Sequence, residues 1–140
     1  MKPERSKFRN DVFSRDNYLC VVCGEKATAA HHILDRSLFE NGGYHVDNGA
    51  SLCDQCHIFA ETTAISASRL RNLCNISYQY LPKNLDENTQ YDKWGNIILP
   101  NDTRIPGELF FKQSVRQIIS KSKTIELFSK RMKYPRTYHF

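Results

Sequence analysis

Cys20-Val21-Val22-Cys23-Gly24 and, after twenty-nine intervening residues (24 to 52), Cys53-Asp54-Gln55-Cys56-His57 decide the reading of this 140-residue chain. Two C-x2-C pairs supply four thiolates, a set that satisfies tetrahedral zinc and leaves no open position, so the site they predict is structural. Gly24 follows the first pair, where a metal knuckle often needs a positive φ. The separation exceeds the roughly fifteen to twenty residues of a simple zinc ribbon. A further structural unit must therefore bulge out between the knuckles, and it carries His31, His32 and Asn48. Four of the five cysteines fall in these pairs, which favours metal binding over disulfides in a reducing compartment. Cys74 stands apart and is expected in the core.

Outward from the cysteines, Ala27 to Leu34 (ATAAHHIL) is apolar apart from its histidines, and Asn41-Gly42-Gly43 and Asp47-Asn48-Gly49 are turn signals. Ala50-Ser51-Leu52 then reads as a second strand and the stretch through Ile58-Phe59-Ala60-Glu61 as a helix, which completes a ββα unit. Upstream, Phe8, Val12 and Phe13 share one face of a short amphipathic helix over residues 5 to 16. Downstream, Thr62 or Thr63 is placed to cap a helix running to about Asn72. Tyr91 to Leu99 suggests a hairpin turning at Gly95-Asn96. Leu109, Phe110, Val115, Ile118, Ile119, Ile125, Leu127 and Phe128 supply apolar faces for one or two further helices. The expected fold class is α+β: a small ββα core over residues 1–62 and a mostly helical extension containing a hairpin over 63–140, packed on the same domain.

Twenty Lys and Arg against fifteen Asp and Glu give a formal net charge of +5, which suits a polyanionic partner without requiring one. Lys121, Lys123, Lys130, Arg131 and Lys133 crowd one stretch in which Glu126 is the only acid, and they are candidates for nucleic-acid contact. A solvated helix face is the alternative. No run of eighteen apolar residues occurs and Met1 to Lys7 lacks an apolar core, so a cytoplasmic protein without a membrane partner is expected.

Taken together, His31-His32-Ile33, Asn48 and Leu52-Cys53-Asp54-Gln55-Cys56-His57 resemble the signature of the HNH endonucleases, over about residues 15 to 61. The resemblance implies a ββα-metal core that hydrolyses phosphodiesters. It makes His32 the general base and puts His31 and His57 on a catalytic divalent ion. Asn48 then orients the base or supports the loop across the strands. The chemistry is coherent in its own terms, because phosphodiester hydrolysis needs a base for water and a cation for the phosphate and leaving oxygen. Histidine titrates in the right range for the first task.

Many relatives carry Asp where this chain has His31, and imidazole is a softer ligand than carboxylate. The catalytic ion is expected to be Mg²⁺ or Mn²⁺, and the softer His31 donor keeps Ni²⁺ or Zn²⁺ open as alternatives. Asp35, Glu40 and Asp47 are candidate oxygen ligands from the loop, and His45 has the same status. On a regular strand His31 and His32 point to opposite faces. Both serve one centre only if the strand bends or the site lies at its end.

Tyr91-Asp92-Lys93-Trp94-Gly95-Asn96, Pro106 to Phe111 and Lys133 to His139 are similar to segments of HNH modules found beside RNA-ligase-like nucleotidyltransferases. This second likeness implies a ligase-like partner in nucleic-acid repair or processing. DNA is the expected substrate and RNA the alternative. A homodimer would ease paired cuts, although no residue demands one. The rival reading is a zinc-pinned module that grips nucleic acid without cutting it.

Overall fold

Helix α1 (Pro3–Arg15) buries Phe8, Val12 and Phe13 while Arg5 and Arg9 stay outside. That face packs against a two-stranded antiparallel sheet of β1 (Ala29–His32) and β2 (Gly49–Leu52), in the register Ala29↔Leu52, Ala30↔Ser51, His31↔Ala50, His32↔Gly49. The approach is close enough to require glycine, since a Cβ on Gly49 would lie 2.4 Å from Val12 Cγ2 and 2.8 Å from Phe8 Cζ. The end of α1 is tied to the same sheet by Arg15, which donates to Val46 O at 2.8 Å and Gly49 O at 2.7 Å. Asp16 accepts from Ser51 N at 3.0 Å. These positions come from a computed structural model, which describes residues 3–128; Lys130, Arg131 and Lys133 lie outside them.

From β2 the chain passes directly into α2 (Asp54–Glu61), whose N-cap is Cys53 with its Sγ accepting from Cys56 N at 3.4 Å. Asp54 in the first turn suits the positive end of the helix dipole. Cys56 and Ala60 on the inner face join Ile33, Ala50, Leu52, Ile65, Leu70 and Ile76 in the first apolar core. The next helix, α3 (Ala67–Leu73), is capped by Ser66, not by either threonine of the expected Thr62/Thr63 pair. Thr62 still belongs to α2 as its C-cap, and Thr63 leaves the helical path with φ 67.

Residues beyond α3 form a three-stranded antiparallel sheet, β3 (Gln90–Tyr91), β4 (Ile97–Ile98) and β5 (Arg104–Ile105), in that order. The expected hairpin is its first half, with Gly95 at φ 82 in the turn. Buried Asp92 organises it: the carboxylate accepts from Trp94 N, Asn96 N and Asn96 Nδ2, and pairs with Arg104 at 3.1 Å. The extension thus combines α3, this small sheet and short helical turns, and among the described residues α4 (Gln113–Ile119) is the only α-helix after the sheet. Polar bonding around Asp92, not helical periodicity, shapes the stretch.

Trp94, Leu109, Phe110, Val115, Ile119 and Phe128 make a second apolar core. Trp94 Nε1 donates to Glu61 O at 2.8 Å, and Ser122 Oγ donates to Thr62 O, so this half is fastened to the end of α2. The architecture is small and mixed α+β. Among the described residues no helix is long and apolar enough to cross a membrane.

Candidate metal centres

The cysteine knuckles meet. Leu19 bridges to Lys26, Cys20 N donates to Glu25 O at 2.7 Å and Gly24, at φ 82, closes the turn, so Cys20 and Cys23 face Cys53 and Cys56. All four Sγ atoms lie within 4.8 Å of one another, and Cys23 and Cys53 are 3.6 Å apart. A tetrahedral sulfur site with bonds of about 2.3 Å has an edge of roughly 3.8 Å, so the spacing fits one ion. Burial opposes ionisation of Cys20, yet backbone hydrogen bonds from Cys23, Cys53 and Val22 outweigh it and bring the thiol down to about 7. Burial, then the neighbouring thiols, push Cys56 up. Thiols this close ionise together only when a cation shares their charge. Cys74 is buried elsewhere beside Arg15, and burial raises its thiol to about 11.

One turn further along α2 a second cluster forms. His57 and Glu61 are four residues apart and share a helix face, with Nε2 and Oε1 at 3.1 Å. His31 meets them from β1, its ring 5.2 Å from that of His57, and one ligand atom from each of the three lies within 4.8 Å of the others. His31 is 2% exposed, and both of its ring nitrogens are buried without a hydrogen-bond partner. An orphaned imidazole of this kind costs about 1–3 kcal/mol. A ligand that accepted its lone pair would relieve the cost at one of the two nitrogens. Burial and then the Lys93 charge hold His31 well below the usual histidine range, so it is neutral and able to donate that pair.

His32 approaches from the other side of β1. Its ring stacks on Phe8 at 4.7 Å and meets Tyr44 edge-on at 5.1 Å. Burial, then Lys93, drive its imidazole down to about 4, while Asp35 and a backbone hydrogen bond with Gly42 pull the other way. Strand alternation does separate the two histidines, His31 toward α2 and His32 toward α1. Because His32 is the last residue of β1, both still line a single cavity of about 410 Å³. Its wall also holds His57, Glu61 and Lys93, with Arg5, Arg9 and Arg36 as further cations.

Asn48 is buried next to this arrangement and its amide is spent on backbone: Oδ1 accepts from Leu34 N, and Nδ2 donates to Leu34 O and Gly43 O. Of its two expected roles, these bonds perform loop support. Of the loop carboxylates only Asp35 lines the cavity, and none joins the ligand cluster. Asp35 pairs with Lys93 at 3.3 Å, Asp47 accepts from Tyr78, and Glu40 is exposed. His45 caps a short turn and stacks on Tyr80. The oxygen donor at the cluster is Glu61, which sequence reading placed only as part of a helix. Its signal was available in the four-residue spacing from His57. Lys121 and Lys123 are exposed and line no part of this cavity. The chain matches no family model, no curated protein and no solved structure.

Proposed function

We propose that the chain is a metal-dependent HNH endonuclease that hydrolyses phosphodiester bonds in nucleic acid, DNA before RNA. The observation that carries this reading is the convergence of the His31, His57 and Glu61 donors with His32 in one cation-walled cavity. A divalent ion held by the three donors would stabilise negative charge on the phosphate and leaving oxygen. Glu61 suits Mg²⁺ or Mn²⁺, and the two imidazoles also admit Ni²⁺ or Zn²⁺. His32, neutral at pH 7 and braced between Phe8 and Tyr44, takes the proton from the attacking water. Arg5, Arg9 and Arg36 neutralise flanking phosphates. Zinc on Cys20, Cys23, Cys53 and Cys56 fixes the start of α2 and so the direction of His57. The likeness of the downstream segments adds an RNA-ligase-like partner to the proposal.

The test supplies the purified protein with plasmid DNA, single-stranded DNA and structured RNA in Mg²⁺, Mn²⁺, Ni²⁺ or Zn²⁺. Cleavage should depend on the ion and fall about 10²–10⁴-fold in His32→Ala. Equal cleavage by wild type and variant would overturn the assignment. Binding without cleavage under every condition would leave the zinc-stabilised binding module.

A further inference from the structure

Lys93, in the segment 91–96, is where the second half of the chain enters the cavity. Its side chain is 5% exposed, and its ammonium lies 3.2 Å from His32 O, 3.3 Å from Asp35 Oδ1 and 3.6 Å from Glu61 Oε2. Lysine has three N–H donors; two of them reach His32 O and Asp35 Oδ1, and the Glu61 carboxylate, beyond hydrogen-bond length, is held by charge. A buried ammonium is tolerated only when paired, so the two carboxylates fix its place. The backbone fixes it too: Asp35 N donates to Lys93 O at 2.8 Å, and the next residue, Trp94, holds the Glu61 carbonyl while its ring lies 4.8 Å from the ammonium.

The division of Glu61 is the informative detail. One oxygen, Oε2, faces Lys93, and the other, Oε1, faces His57 Nε2 at 3.1 Å. A free glutamate at the end of a helix samples several rotamers, and this one is pinned from both sides. We infer that Lys93 is a positioning residue: by holding Oε2 it commits Oε1 of Glu61 to the ligand cluster with His31 and His57, and through His32 O it ties that ligand to the strand end bearing the base. This rests on the metal reading above and adds that the cluster is complete only with the Lys93–Trp94 segment in place.

Outer partners of this kind typically change metal affinity or activity about 10–100-fold. The full zinc-loaded chain is titrated with Mn²⁺, and free ion is followed by electron paramagnetic resonance, with circular dichroism and zinc content as folding checks. Lys93→Met, close in shape but uncharged, should bind Mn²⁺ about ten- to a hundredfold more weakly. Lys93→Arg should recover part of the loss. Should Lys93→Met fail to fold, Lys93→Gln, which can still donate to His32 O, should show a loss of the same order. Unchanged or tighter Mn²⁺ binding in the folded neutral variants would overturn the inference, because the ammonium would then only oppose the charge of the ion. Wild type that binds no Mn²⁺ would overturn the metal reading itself, a distinct result.

Discussion

Helix α2 serves two clusters. Cys53 at its cap and Cys56 in its first turn face the thiols of Cys20 and Cys23, while His57 and Glu61 on a neighbouring face meet His31. The thiol set offers four soft donors around one point and no vacancy. The imidazole–carboxylate set offers three donors and borders a cavity, which on the proposed reading would leave positions for water and a phosphate oxygen. Ligand number and what lies beyond the ligands, not mere proximity of metal-binding side chains, separate a centre that holds a fold from one that can do chemistry.

The sharpest way to break this contrast is to remove a thiol. Cys20→Ser or Cys56→Ser should abolish the tightly held ion, expected at about one zinc per chain, and with it much of roughly 10 kcal/mol or more of binding free energy that supports the hairpin and α2. Metal analysis beside a thermal melt checks it, and a fold that survives complete chelation would deny the thiol cluster its structural role.

Glu61→Gln should act oppositely. Zinc content and melting temperature should stay near wild type while Mn²⁺ affinity falls about a hundredfold; parallel loss of both ions would mean that the two clusters are not separable.

Acid gives a smaller effect. His32 sits at about 4 when folded, against the ordinary 6.5, so at intermediate pH the unfolded chain takes up a proton that the folded chain refuses. Stability is therefore full above pH 6.5 and falls as pH drops toward 4, by at most about 1.4 kcal/mol per unit from this group. Melting curves of wild type and His32→Gln over that window, with zinc content monitored, should show a shallower slope in the variant. The smallest effect belongs to Cys74→Ser, which should cost about 1 kcal/mol or less and leave zinc stoichiometry untouched; altered stoichiometry would place Cys74 among the ligands.

The thiol cluster was readable because its ligands come as two local pairs whose spacing alone implies a shared ion. The placement of His31, His32 and His57 was readable because strand, turn and helix signals bracket them. Glu61 was legible in principle, four residues after His57 on a helix, but loop acids nearer to the histidines in sequence drew attention instead. The place of Lys93 at the cavity was not legible, although the likeness of the segment 91–96 singles out its stretch. The residue arrives from a stretch without periodicity, and its position depends on the Asp92–Arg104 network and on where Trp94 packs, neither of which leaves a local pattern. Of the basic C-terminal run, Lys121 and Lys123 lie away from the cavity, which takes its cations from α1, from Arg36 and from Lys93.

Asn48 carries a consequence for folding fidelity. Its amide grips both the N–H and the carbonyl of Leu34, and its own carbonyl takes Ile33 N at 2.8 Å, so the two strands are clamped together just past His32. In a sheet a slip of one residue exchanges the faces of every side chain. Here such a slip would turn His32 toward α2 and His31 toward Phe8, giving a hairpin of the same composition with the two imidazoles transposed. A single asparagine thus guards against a misfolded isomer that would, on the proposed reading, be inert.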